Sequence, residues 1–400
     1  MNSQTAEILS KKKIFIFTAI PFIFFLFLLE VGLGIWGDTQ PNRVLCYDPI
    51  LGRSYCPNTK GYLKENQINM YVEVNADGLL GKSYPIARTP EKLRVAVLGD
   101  SFTSGEAVPP EKKFAGVWET KLSETFPPGV EVINFGVGGT GTWQQLQRFH
   151  IKARKYTPDL TVLAFCWCND VGNNIDQLFS KADSRNPLLD QYDINIWTQL
   201  NVKRKNFNKW LWNNSSLYQF TRTRYNHLEH LIKRIFLPDY MKGPASTRGL
   251  HYQKGIHSVR RVSLASAEEN KVQTSPDIKD TTSIFDDLFF FDSGGWEITR
   301  KLIIKLQSEV RENGSKLAVI HFGGQGQYHS SARLPLKQFD NFLSSQGIEH
   351  LNAFELFEQM KDADIEKYFI PNDGHFSEAG HAEFAGMAMK LLIKLLQTKA

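Results

Sequence analysis

Little in this sequence points to nucleic acid or to a structural metal. The 47 Lys and Arg against 42 Asp and Glu leave a formal net charge of only +5 over 400 residues. No zinc-finger, RNA-binding or basic-zipper pattern is present, so no nucleic-acid partner is expected. Cysteine is scarce, four residues in all, and none has companion ligands at metal-binding spacing. No segment repeats, which excludes solenoids and propellers. General disorder is excluded as well, because 42% of the residues are hydrophobic, enough for a full core in one or two domains.

Long apolar runs are equally rare, and the single one lies at the N-terminus. Lys11-Lys12-Lys13 precede Ile14 to Leu29, broken only by Thr18 and Pro21, and beyond Glu30 the segment Val31 to Trp36 is apolar again. About 20 apolar residues cross a bilayer, and this stretch reaches that length with Glu30 near the far interface. Three lysines on the N-terminal side hold that end in the cytoplasm, so the body is expected outside it, anchored by a single pass. A cleaved signal peptide is the competing reading, but no clear Ala-x-Ala site follows and the run is long for one.

The cysteines fall into two pairs. Cys46 and Cys56 bracket a turn-rich segment and, in an exported protein, are either a disulfide or two unpaired thiols. Cys166 and Cys168 flank Trp167 at the end of a predicted strand, where side chains two apart share a face. That spacing suits buried thiols better than a bridge.

The organisation follows from periodicity. Residues 1–37 form the cytoplasmic stub and anchor, and 38–90 a connector with short strands, among them Tyr71-Val72-Glu73-Val74 before the turn Asn75-Ala76-Asp77-Gly78. From 91 to 400, strands at Arg94–Leu98, Val130–Asn134, Leu160–Cys166, Lys316–Phe322 and His350–Ala353 alternate with helical stretches near 111–126, 143–156, 296–313, 336–345 and 378–396. This alternation predicts an α/β fold, a doubly wound parallel sheet with helices on both faces. Residues 173–294 break the pattern as a large insertion, with helical spacing at Ser215–Phe236. From Asn201 to Ser263 it carries 13 Lys and Arg against Glu229 and Asp239. Two readings fit that bias: a solvated basic face, or contact with anionic lipid or an acidic glycan.

Four stretches fall at the ends of predicted parallel strands, which converge on one rim in such a sheet. They are Gly99-Asp100-Ser101, Asn134-Phe135-Gly136-Val137-Gly138-Gly139, Asn169-Asp170 and Asp373-Gly374-His375. A serine on that rim is a poor nucleophile until a base takes its proton, and His375 is the base on offer. His381, inside the last predicted helix, is a competitor. The serine is not in Gly-x-Ser-x-Gly, since Thr103 holds the second glycine's place.

In order and placement the four blocks resemble the SGNH hydrolases, the GDSL-type lipase/acylhydrolase family, and the turn at Asn75–Gly78 resembles its membrane-anchored bacterial members. The resemblance covers Val95 to the C-terminus without the insertion and implies a three-layer sandwich. It implies Ser101 as nucleophile, His375 as base, and an oxyanion hole from the N–H groups of Ser101 and Gly139 with the Asn169 amide. Two departures stand out: Trp167 replaces the usual third-block glycine and would narrow the pocket, and Asn372 takes the usual place of the last-block acid. The acid is therefore assigned to Asp373, because a carboxylate can stabilise an imidazolium and an amide cannot. Asp100 and Asp170 read as structural hydrogen-bonders, and Gly323, in His321-Phe322-Gly323-Gly324, as pocket lining or a simple loop.

The expected function is a serine-dependent acyl-ester hydrolase acting on a lipid, small ester or acylated glycan, with no metal or organic cofactor. An O-acyltransferase or acetylesterase acting on an exported polysaccharide is the alternative within the same chemistry. A catalytically idle, anchored binder of glycan or lipid is the alternative outside it.

Overall fold

Strands such as Leu93-Arg94-Val95-Ala96-Val97-Leu98 are too uniformly apolar to leave one face in water, so both faces must be covered. A computed structural model describes how, over residues 11–36, 43–48, 50–65, 68–174, 207–236, 294–328, 334–357, 360, 362–371 and 373–398. The chain opens with helix α1 (Lys11–Ile35) and two antiparallel hairpins, β1 (Leu45–Asp48) with β2 (Gly52–Tyr55) and β3 (Lys60–Glu65) with β4 (Ile68–Glu73). Then come β5 (Leu93–Gly99), α2 (Phe114–Thr125), β6 (Val130–Asn134), α3 (Thr142–Ile151), β7 (Leu160–Cys166), α4 (Ser216–Phe236) and α5 (Gly294–Glu312). The last elements are β8 (Lys316–Phe322), α6 (Leu336–Ser345), β9 (Glu349–Asn352) and α7 (Glu378–Gln397).

Strands β5 to β9 form one parallel sheet in the order β6-β5-β7-β8-β9. The helices α2 and α7 pack together, as do α3 and α5, so the doubly wound expectation is met. Because the chain leaves β5 in one direction to β6 and returns on its other side to β7, the strand order reverses at β5/β7. Ligands of such sheets bind in the crevice at that reversal, and both Ser101 and Asn169 follow it.

One buried cation organises this body. Arg94 is fully buried near the start of the otherwise apolar β5. Its Nε donates to Glu131 Oε2 at 2.6 Å, and its two amino groups donate to the carbonyls of Ile86, Tyr156, Pro85 and Ala87 at 2.7–3.2 Å. All five guanidinium N–H groups are thereby matched, and the end of the connector is tied to β5, β6 and the turn before β7.

The short strands expected in the connector pair as two hairpins, and the stretch at Tyr71–Val74 falls largely in β4. The first is closed by a Cys46–Cys56 disulfide. Helix α1 includes a stretch, Ile16–Ile35, that is long and apolar enough to cross a membrane or serve as a signal sequence. Its one acid has a partner. Glu30 accepts from Ser215 Oγ and from the backbone N–H groups of Ser216 and Leu217, at 2.5–3.1 Å. A carboxylate there satisfies the open donors at the N-terminus of α4. The helical segment 207–214 is bound to the first hairpin through Trp212 Nε1 to Leu45 O and a reciprocal pair between Asn213 and Tyr47. The basic insertion thus lies against both anchor and connector where it is described. Most of its cations fall outside the described residues.

Replacing Arg94 by Met should cost about 3–5 kcal/mol, because it leaves the Glu131 carboxylate buried without its counter-ion. Replacing Arg88, whose pair with Asp159 is 40% exposed on the Arg side, should cost about 1 kcal/mol or less. Urea unfolding of the detergent-solubilised chain checks both, and equal losses would contradict the assignment.

Candidate active site

The site is built by the abrupt end of β5. Asp100 leaves the strand and its Oδ1 accepts the Phe102 N–H at 2.9 Å, capping the single helical turn Ser101–Ser104. The turn folds back so tightly that a Cβ on Gly99 would stand 2.0 Å from Thr103 Oγ1. At the end of β6, Asn134 ties the second block to this turn, its Nδ2 donating to Thr103 O at 2.6 Å and its Oδ1 accepting the Gly136 N–H at 2.9 Å.

His375 arrives from the far end of the chain. The imidazole Nε2 lies 2.7 Å from Ser101 Oγ, and Nδ1 is hydrogen-bonded to Oδ1 of the buried Asp373. The loop that carries them is closed by Ile370 N–H to His375 O at 2.8 Å. Phe102 braces the ring, with centroids 4.8 Å apart, and also touches Phe376. Ser101, His375 and Asp373 are therefore one connected chain of polar atoms, in the order a nucleophile, a base and an orienting acid require. Asn372 lies outside the described residues.

The electrostatics divide the nearby groups by role. Burial is the largest influence on His375 and pulls its pKa down, but the bond to Asp373 and the charges of Asp373, Asp100 and Glu106 outweigh it, and the net shift is upward from the ordinary value. His381 goes the other way. Burial, with the charges of Lys113 and His375, pulls it down to about 3, and its Nδ1 accepts the Phe114 N–H at 3.3 Å. It is a neutral ring in the wall of the cleft. Burial raises Asp100 to about 6 and, with the neighbouring Asp100 charge, lifts Asp170 well above the carboxylate range. Asp170 accepts from the Cys166 N–H at 3.0 Å and from Gln145 Nε2 at 3.2 Å, and both acids serve as buried hydrogen-bonders.

The second and third blocks reach the same rim. Gly138 lies against Ser101, since a Cβ there would be 3.4 Å from Ser101 Cβ. Gly139 follows in a left-handed conformation (φ +69°). Asn169, in the turn after β7, has its side chain hydrogen-bonded to Asp100. Trp167 is elsewhere. It is fully buried, donates Nε1 to His321 Nδ1 at 3.1 Å and packs on Trp296 and Phe339, so it is core and does not narrow the pocket. A Cβ on the buried Gly323 would meet Phe354 at 2.6 Å, which places that loop against the core and not in the cleft. Cys166 and Cys168 are also corrected: they form a disulfide. The chain turns at the end of β7, contracting the Cα–Cα distance to 5.1 Å from the about 6.7 Å of two strand residues, within reach of a bridge. Among the described residues, Asp100, Cys166 and Cys168 alone group three potential metal-ligand atoms within 4.8 Å. With the sulfurs bonded to each other, neither offers a thiolate.

The cleft over Ser101 is narrow, lined by Ile68, Phe102, Glu106, His375, Phe376 and His381, with room for about one water. Ile68 comes from β4, and Tyr55 of β2 donates its hydroxyl to Glu106 Oε1 at 2.5 Å. These connector residues carried no sequence signal of a site. A wider, open groove between α5 and α6, lined by Glu297, Arg300 and Phe342, holds none of the motif residues.

A family model described as GDSL-like lipase/acylhydrolase matches residues 97–288. The chain thus carries a GDSL-like lipase/acylhydrolase domain, matched over just under half of its length. It is accordingly an enzyme of the ester-hydrolase class, and its parallel sheet flanked by helices is the family's fold. Solved structures similar to this GDSL-like hydrolase include a lipase/acylhydrolase from Enterococcus faecalis, at 11% identity and TM-score 0.37 over 75% of this chain and 95% of that one. The psychrotrophic esterase EstA from Pseudoalteromonas sp. has 9% identity and TM-score 0.38 over 76% and 98% of the two chains. An acetyl xylan esterase, AlAXEase, has 10% identity and TM-score 0.36 over 75% and 99%. No curated protein matches in sequence.

A carboxyl whose pKa is raised by folding holds its proton more tightly folded than unfolded. Stability then falls as pH rises from the unfolded value, about 3.9 for Asp, through the raised folded one. Asp170→Asn removes such a group, so the variant should gain stability relative to the wild type as pH goes from 4.5 to 7. Urea midpoints at the two pH values measure this, and a difference that does not change with pH would refute a buried, proton-holding Asp170.

Proposed function

We infer that this GDSL-like hydrolase cleaves acyl esters through an acyl-serine on Ser101. The observation that carries the reading is the unbroken hydrogen-bonded line from Ser101 Oγ through His375 to Asp373. As Ser101 attacks the ester carbonyl, His375 Nε2 takes its proton, and Asp373 holds the ring by Nδ1 and stabilises the imidazolium. The charge growing on the carbonyl oxygen is met by the N–H groups of Ser101 and Gly139 and by the Asn169 amide. The imidazolium then protonates the leaving alcohol. Water, activated by the same ring, releases the acid and restores Ser101.

The body acts outside the cytoplasm, tethered by α1. The apolar stretch Ile16–Ile35 preceded by Lys11-Lys12-Lys13 supports this orientation, and so do two disulfides, which persist in oxidising compartments. The functional parts are an anchor, a connector over 38–90 and a catalytic body over 91–400. Esters of exported or membrane-associated molecules, including acylated glycans, are the substrates within its reach.

Fluorophosphonate labelling of the full chain should be lost in Ser101→Ala, and labelling that persists, or a folded wild type that never labels, would leave an idle binder in place of an enzyme. Hydrolysis of a short-chain ester should rise with pH through an inflection above about 6.5, because the base must be neutral and its pKa is raised. Asp373→Asn should move that inflection down and lower kcat by up to about 10⁴. Asn169→Ala should cost about 10²–10³ in kcat. Faster acyl release on adding a sugar acceptor would reassign the enzyme as a transferase.

A further inference from the structure

The first hairpin of the connector packs behind the wall of the catalytic cleft, where Tyr55 donates to the lining residue Glu106. In its register Cys46 faces Ser54 and Tyr47 faces Arg53, and the Cys46–Cys56 disulfide closes the strands beside that pair. Arg53 is directed at the second block. Its Nη1 and Cδ lie 3.9 and 4.0 Å from the point where a Cβ on Gly139 would stand, and its Nη2 is 3.8 Å from Glu106 Oε2. Glu106 Oε1 in turn is 2.7 Å from the Cβ point of Gly138, the glycine that lies against Ser101. The guanidinium therefore bridges from the cleft wall to the strand-to-helix turn beside the nucleophile, with its side chain 21% exposed.

The strand behind it is fixed. Arg53 O accepts from Nη2 of the buried Arg148 at 3.0 Å, and Tyr55 holds Glu106. Arg53 pairs with Glu106, the buried Lys113 lies in the field of Glu106 and Glu111, and the buried Arg148 in that of Tyr55 and Asp48. Burial lowers Lys113 to about 8 and Arg148 to about 10, so both carry charge at neutral pH.

We propose that Arg53 is a specificity-determining residue that binds a carboxylate carried by the substrate, so that the preferred esters are acidic ones: an acylated uronic-acid sugar, or an acyl chain that itself ends in a carboxylate. The inference rests on Ser101 as the nucleophile and adds to it the class of ester. A guanidinium offers a planar fork that matches a carboxylate, and in a partly dehydrated mouth such charge-assisted bonds discriminate strongly against a neutral analogue. The recognising element is delivered from outside the α/β body, on a strand that the Cys46–Cys56 disulfide holds in register.

The test compares matched ester pairs on the full chain in detergent: a hemisuccinate against a butyrate of the same fluorogenic alcohol, and acetylated methyl glucuronoside against acetylated methyl glucoside. In the wild type, kcat/KM for at least one acidic ester should exceed its neutral partner by about 10- to 100-fold, and the ratio should shrink with added salt. Arg53→Gln should bring that ratio to about one, and Arg53→Lys, which keeps the charge without the fork, should retain part of it. Equal turnover of acidic and neutral esters by the wild type would overturn the proposal, as would a ratio unchanged in Arg53→Gln. Absence of turnover of every ester, with no fluorophosphonate labelling, would instead remove the hydrolase reading beneath it.

Discussion

The catalytic rim depends on one buried carboxylate. Asp100 caps the turn that begins at Ser101, receives the Asn169 side chain and sits beside Asp170, which in turn holds the Cys166 N–H and Gln145. Burying two acids side by side is costly unless one keeps its proton and the other is fully hydrogen-bonded. That requirement fixes where the ends of β5 and β7 stand relative to each other. The nucleophile and the proposed oxyanion donor inherit their positions from it, and neither can drift without breaking a bond to Asp100.

Around that fixed point the chain assembles pieces of different stiffness. The sheet and its helices are held by apolar packing and by Arg94, whose five donors leave it no alternative seat. The loop bearing Asp373 and His375 is held by a few backbone bonds and the aromatic contacts of Phe102 and Phe376. The connector adds a third layer, placing Ile68, Tyr55 and Arg53 over or beside the cleft, while Glu30 and the 207–214 segment join it to the apolar helix and to α4. A segment that reads as a tether thus also contributes, through Ile68, to the wall of the site.

Much of this was legible in the residues. The periodicity of the β5, β7 and β8 segments located the strands closely, and the four motif blocks pointed to Ser101, Asn169, Asp373 and His375 before any geometry existed. What escaped were features without local periodicity. Arg94 interrupts an apolar strand and looks like a fault until its five acceptors, scattered from Pro85 to Tyr156, are in view. Trp167 replaces a glycine in a pocket-forming motif, and only its burial against Trp296 and Phe339 shows that it packs inward. Cys166 and Cys168 follow strand spacing on paper, but the strand has already ended between them.

The sequence by itself determined the element types, the order of the strands along the chain and the residues able to do acyl chemistry, because each rests on local pattern: side-chain period, turn-forming residues and the limited set of groups that can act as nucleophile, base or acid. Tertiary structure alone decided which of these meet. Ser101 and His375 come together because parallel strands deliver their ends to one edge. His381 is silenced by burial, a property of its surroundings and not of its type. Arg53 comes beside Gly139 and Glu106 because a disulfide-closed hairpin folds back on the body, and no local rule encodes where a hairpin docks.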